Sequence, residues 1–172
     1  MRIILNTGFI LLAFLMHGCA MKQAQTAQEF RMMAPQSSYG AHDTLTVTKP
    51  YSSAVANFKK KADKCLTTEL VLTYQNQYGQ TISTQNLSYT PTLVVGKSKT
   101  TLSVQKNVSG DGMIAGKVPE KGMFLVVADL TPVAKNKTRL DIYRNTYETD
   151  IIVAAIKNWA TGKSLACPDW PE

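Results

Sequence analysis

Met123-Phe124-Leu125-Val126-Val127-Ala128 decides the fold of this chain. The run follows the turn residues Pro119-Glu120-Lys121-Gly122 and is apolar on both faces, so it belongs in the centre of a sheet. Strand signals surround it. Lys135-Asn136-Lys137 turns the chain into Thr138–Arg144, where Leu140 and Ile142 point one way and Asp141 and Tyr143 the other. On the N-terminal side, beyond the break at Ser109-Gly110-Asp111-Gly112, Thr100 to Val108 carries Leu102 and Val104 inward. The short connection Gly96-Lys97-Ser98 joins it to Leu87–Val95, in which Pro91 predicts an edge or a bulge. Glu69 to Gln75 alternates, with Leu70, Leu72 and Tyr74 on one face, and Asn76-Gln77-Tyr78-Gly79 is its turn. Thr44-Leu45-Thr46-Val47-Thr48 is the first strand.

Two segments have the other periodicity. From Ser52 to Cys65, Val55, Phe58, Ala62 and Cys65 recur at three and four, and Lys59, Lys60, Lys61 and Lys64 fall largely on the other side. That pattern predicts an amphipathic helix with a basic outer face. Thr149 to Thr161 carries the stripe Ile152, Ile156, Trp159, with Thr149 or Asp150 as cap and Gly162 as stop. The expectation is an α+β domain over residues 44–172: a single antiparallel β-sheet of about five to six strands, two helices packed on one face, in the order strand, helix, strands, helix.

Composition agrees with one domain. The 172 residues are 44% hydrophobic, 8% aromatic and 18% charged, which excludes a disordered chain, a collagen and a coiled coil. The outline resembles the helix-grip-like and related βαβ…βα domains used in envelope lipoproteins, a likeness of fold that implies no function.

The first nineteen residues read as an address. Met1-Arg2 is a charged start, and Ile3 to Met16 is an apolar stretch too short to span a membrane. It ends Leu15-Met16-His17-Gly18-Cys19, which resembles a bacterial lipobox. The resemblance implies that residues 1–18 are a lipoprotein signal peptide and that Cys19 is acylated after cleavage. Ala20 rather than Asp follows, which by resemblance to the usual sorting pattern sends the protein to the outer membrane, facing the periplasm. Ordinary secretion and an uncleaved anchor are the alternatives. Residues 19–43 then read as the lipidated cysteine and a flexible linker, reaching several tens of ångströms when extended. Within it, Phe30 and Met33 are spaced for one helical turn with an apolar side that docks on the domain or a partner.

With Cys19 taken by lipid, Cys65 and Cys167 remain, an even pair that in an exported chain reads as one disulfide. Two separate buried thiols are the alternative. Asn158-Trp159-Ala160-Thr161-Gly162-Lys163, Cys167-Pro168 and Ala27-Gln28-Glu29-Phe30-Arg31 together resemble a group of small uncharacterised proteobacterial lipoproteins, which brings no activity with it.

Reactive chemistry is sparse. His42 is the one histidine beyond the signal, and it falls in the expected linker. No His/Cys/Asp cluster has zinc spacing, and Gly110, Gly112 and Gly116-Lys117 lack the phosphate-loop pattern. Asp129, Asp141 and Glu148 are carboxylates that folding could bring together. No enzyme and no cofactor are expected. The net charge is +7, and Lys59, Lys60 and Lys61 are either solvated lysines or an anion-contacting surface for headgroups or cell wall. No aromatic interleaving points to nucleic acid. Two functions follow as expectations. One is a non-catalytic accessory or scaffold on the membrane, contacting an envelope protein or peptidoglycan. The other is a small-molecule or lipid binder with a cavity between sheet and helices.

Overall fold

The computed structural model describes residues 23–110, 118–146 and 148–170. The expected signal peptide 1–18, the expected acylation site Cys19 and the 111–117 part of the expected glycine-rich break lie outside these residues. The fold class is α+β with one antiparallel six-stranded sheet, ordered β1-β6-β5-β4-β3-β2. The strands are β1 (Gly40–Val47), β2 (Thr68–Gln75), β3 (Thr81–Val95), β4 (Thr100–Gly110), β5 (Met123–Ala134) and β6 (Lys137–Asn145). The apolar run Met123–Ala128 lies in β5, between β4 and β6. Pro91 sits in β3 just past Tyr89, the last residue paired with β2, so its missing N–H interrupts no ladder on that side.

Three α-helices flank the sheet, not two: α1 (Ala27–Met33), α2 (Tyr51–Leu66) and α3 (Asp150–Thr161). Helix α2 connects the two edge strands, β1 and β2, and crosses the same face as α3. Phe58 and Trp159 meet edge-on there with ring centroids 6.3 Å apart, over Leu102, Val104, Val126, Ala128, Leu130, Leu140 and Ile142. Helix α3 ends where Gly162 turns left-handed at φ 70°, donating its N–H to the Asn158 carbonyl at 2.7 Å. Its expected cap works otherwise: the Thr149 hydroxyl donates back to the Asn145 carbonyl, and Asp150 binds Arg144 Nη1 at 2.5 Å.

The element order therefore begins with a helix, which corrects the expected strand-helix-strands-helix order. Helix α1 lies on the opposite face of the sheet from α2 and α3, since Val127 of β5 packs with Phe30 and Ala34 while its neighbours Val126 and Ala128 face the other way. Local chemistry explains the helix. The Thr26 hydroxyl accepts from Glu29 N–H at 3.1 Å, and Glu29 Oε2 accepts from Gln25 N–H at 2.7 Å, an arrangement close to a capping box. Ala24 is already buried against this face. A short 3-10 turn, Ala34–Gln36, leads into β1, which starts at Gly40, so the expected boundary at 43/44 falls inside a strand. His42, expected in a linker, is a β1 residue opposite Tyr143 of β6.

Candidate functional site

The sheet is wider than its two-helix cover: α2 packs along β3, and the edge strand β2 lies beyond it, with Leu70 and Leu72 half-buried. Leu70 and Leu72 of β2 and Leu87 and Tyr89 of β3 alternate onto the helix side, as the period-two pattern requires. They form the floor of an open groove of about 490 Å³. Ile151, in the first turn of α3, and Trp170, in the C-terminal tail, form its walls, and Glu148, Asp150 and Asp169 lie on its rim.

The tail is held by covalent and aromatic contacts. Cys65, at the end of α2, is joined to Cys167 with Cα atoms 4.9 Å apart. Three residues on, Trp170 packs tilted against Tyr89 with ring centroids 4.6 Å apart and donates its indole N–H to the Cys65 carbonyl at 3.2 Å. Trp159 of α3 donates in turn to the Ala166 carbonyl at 2.9 Å. The Cys65–Cys167 bridge therefore builds a wall of the groove as well as closing the domain.

Glu148 has an unusual backbone. It sits at φ 60°, in the left-handed region that costs a side-chain-bearing residue about 1–2 kcal/mol. Its carboxylate meets Lys106 Nζ at 2.7 Å. Burial first, and the charge of Glu148 second, push the Tyr89 phenol up to about 12. The groove is thus an apolar trough with acid at one side and a neutral phenol in its floor.

A second groove of about 490 Å³ lies on the other face, where α1 meets Met123, Phe124 and Leu125 of β5. Beside it is the densest polar cluster. Asp129, 4% exposed, accepts from Arg31 Nε at 2.7 Å, Arg31 Nη2 at 2.8 Å and the Thr101 hydroxyl at 2.7 Å, with Lys99 Nζ at 3.0 Å. Burial alone would push its pKa up, but the hydrogen bonds from Arg31, Thr101 and Lys99 and the charge of Arg31 outweigh burial and hold the carboxyl below its ordinary value.

The remaining candidates disperse. Lys59 and Lys60 are exposed and Lys61 half-buried on the outer side of α2. Lys97 and Lys99 lie at the β3–β4 turn and Lys135 and Lys137 at the β5–β6 turn, so they form no single patch with the α2 lysines. Asp129 and Asp141 face each other across β5 and β6, but each is engaged by its own arginine, while Glu148 lies in the β6–α3 connection. His42 stacks on Tyr143 with centroids 4.2 Å apart. Its Nε2 lies 3.4 Å from the Thr44 hydroxyl and 3.6 Å from Asp141, both at the one ring nitrogen, which is not the two-nitrogen geometry of a hydroxyl-imidazole-carboxylate relay. Among the described residues no group of three or more His, Cys, Asp or Glu could hold a metal, and no helix is long and apolar enough to cross a membrane.

The groove was hard to find from sequence. Leu70 and Leu72 read as ordinary inward strand positions, and only the placement of the helices leaves them half-buried at the sheet edge. Trp170 carried the one usable signal, a large aromatic two residues from the end of a tail closed by a disulfide.

No family model matches the chain, and no curated protein matches it. A solved structure of an uncharacterised protein from Rhizobium leguminosarum aligns at 8% identity, over 72% of this chain and 91% of that one, with a TM-score of 0.27. A likeness that weak supports no argument.

Proposed function

We propose that the protein is a non-catalytic envelope lipoprotein, acylated at Cys19, anchored in the outer membrane and facing the periplasm, whose domain serves as an accessory or scaffold that contacts another envelope protein or the cell wall. The observation that carries the partner-contacting reading is the tip of the β2–β3 hairpin. Val71, Tyr74, Tyr78 and Ile82 are 64%, 45%, 78% and 66% exposed, although the interior between helices and sheet is filled. Scattered exposed apolar residues are ordinary, but here Val71 and Ile82 share one face of the edge hairpin, Tyr74 lies on the other and Tyr78 in the turn, so a free sheet edge presents large side chains on both sides for a partner to grip. The basic face of α2, with Lys59, Lys60 and Lys61, is the candidate contact for cell-wall carboxylates.

Two measurements test this. Labelled palmitate should enter the wild-type protein and not Cys19→Ser, and equal incorporation in both would refute acylation at that residue. Crosslinking and pull-down from native envelopes should capture a defined partner with the wild-type protein, and Tyr74→Ser/Tyr78→Ser should lose it. Capture unchanged in that variant would remove the hairpin from the interface.

The second reading, a small-molecule or lipid binder, rests on the groove floored by Leu70, Leu72, Leu87 and Tyr89. Its volume falls in the usual range for ligand sites. A fluorescent apolar probe should then bind the wild-type domain and be lost in Leu72→Asp.

A further inference from the structure

The chain between the acylation site and the folded domain is very short. Ala24 is 8% exposed, packed with Phe30, Ala34 and Val127 on the α1 face of the sheet. Only residues 20–23 separate it from Cys19. At a maximum of about 3.5 Å per residue, the five steps from Cys19 to Ala24 span about 18 Å. The domain itself is three layers deep, α1, sheet, then α2 with α3, and each layer adds about 10 Å. A tether shorter than the domain is thick cannot let every face reach the membrane.

The surface of the α1 face fits a lipid headgroup region. From Thr26 to Tyr39 the exposed residues are Thr26, Gln28, Met32, Pro35, Gln36, Ser37, Ser38 and Tyr39, and none is charged. Met32 and Tyr39 are 54% and 65% exposed, an apolar and an amphipathic side chain suited to an interface. Arg31 and Lys99 are paired with Asp129 and Arg139 with Asp141, while Glu29 is half-buried with its carboxylate on the Gln25 N–H. The opposite surface exposes Lys59, Lys60, Asp63 and Lys64 of α2.

From the tether length and this contrast we infer that the α1 face of the acylated protein lies against the phospholipid leaflet that holds its anchor, with the basic face of α2 turned away from it. The inference rests on acylation of Cys19 and adds the orientation. The stretch first read as a long flexible linker is instead the docked surface. The α2 lysines then reach polyanions beyond the membrane, not the headgroups of the leaflet in which the protein is anchored.

The test uses the acylated full-length mature protein in vesicles of phosphatidylethanolamine and phosphatidylglycerol containing labelled phospholipid. A photoactivatable benzoylphenylalanine is placed singly at Met32, Tyr39 or Lys60, all exposed positions that leave the core intact. Lipid adducts at Met32 and Tyr39 should exceed those at Lys60 at least fivefold. A flexible insert of about fifteen Gly and Ser residues between Lys22 and Gln23, long enough to exceed the depth of the domain, should reduce that ratio at least twofold. Equal adducts at Tyr39 and Lys60 in protein shown by palmitate labelling to be acylated would overturn the orientation and leave the anchor standing. Absence of palmitate from the wild-type protein would overturn both.

Discussion

Arg31 of α1 and Asp129 of β5, 98 residues apart, meet in a two-pronged ion pair at 2.7 and 2.8 Å. It is the main polar link between the N-terminal helix and the sheet, and Thr101 and Lys99 complete it from β4 and the turn before it. Arg31→Ala leaves a buried carboxylate with those two partners alone. The expected loss is about 2–3 kcal/mol, below the ~3–5 kcal/mol of a fully stranded charge because Lys99 remains. Chemical denaturation reads it, and hydrogen exchange should rise first in residues 27–36. A change under about 0.5 kcal/mol would show that apolar contacts alone hold α1.

The same carboxylate sets an acid limb. Its folded pKa is lowered, so the unfolded chain binds the proton more readily and stability falls with acid. The contribution is complete above the ordinary value near 3.9 and disappears as the pH falls through the lower folded value. Asp129→Asn should be less stable at neutral pH and lose less stability than the wild type as the pH falls below about 4. Parallel curves for the two proteins would assign the acid sensitivity elsewhere.

Much of the sheet was legible because its signals are local. Alternating segments and one run apolar on both faces located the six strands, and Gly79 and Gly162 marked turn and stop at positive φ. The first half of β3, Thr81-Ile82-Ser83-Thr84-Gln85-Asn86, was missed because it is polar and pairs by backbone alone in an exposed hairpin. The N-terminal helix was legible only as one apolar-sided turn within a linker, for a different reason. Phe30 gives only one buried large residue in seven, too little for a periodic signal, although Thr26-x-x-Glu29 is a capping pattern in plain view. Met123–Ala128 held the deeper clue. A central strand apolar on both faces needs cover on both, and two helices on one side could not supply it. The groove was illegible because it depends on which part of the sheet the helices fail to reach.

The bridge between Cys65 and Cys167 closes a separation of 102 residues. In the chain-entropy account such a loop contributes up to about 4–5 kcal/mol, a large share of ordinary domain stability. Non-reducing mass analysis should show the protein two protons lighter than its dithiol. Cys167→Ser should lower the thermal midpoint and free the tail, so that Trp170 leaves Tyr89 and its fluorescence shifts toward that of a solvated indole. Two alkylatable thiols in unreduced, denatured protein would show that the bridge is absent.

Tyr89 sets the alkaline limb. Burial and Glu148 push its phenol up to about 12, so the neutral form is favoured in the folded state. That contribution is complete below the unfolded value near 10 and is lost as the pH rises from there toward 12. Burial and the charge of Asp141 also raise the Tyr143 phenol; ultraviolet titration of the folded protein should therefore show two late-ionising phenols, of which Tyr89→Phe removes one, and the variant should lose less stability over that interval. Two late phenols still present in Tyr89→Phe would assign the shift to another tyrosine.

The basic face of α2 makes the last prediction. Lys59 and Lys60 are exposed and Lys61 half-buried, so changing all three to Gln leaves the core side of the helix, Val55, Phe58 and Ala62, untouched. Stability should move by less than about 0.5 kcal/mol, as for other surface substitutions. Retention of the domain on isolated cell wall should fall several-fold, and raising the salt from low to physiological strength should weaken the wild type toward the variant, since exposed charges are screened over about 8–10 Å. If the two proteins are held equally at low salt, these lysines are only a solvated helix face, and the cell-wall contact must lie at the exposed β2–β3 hairpin instead.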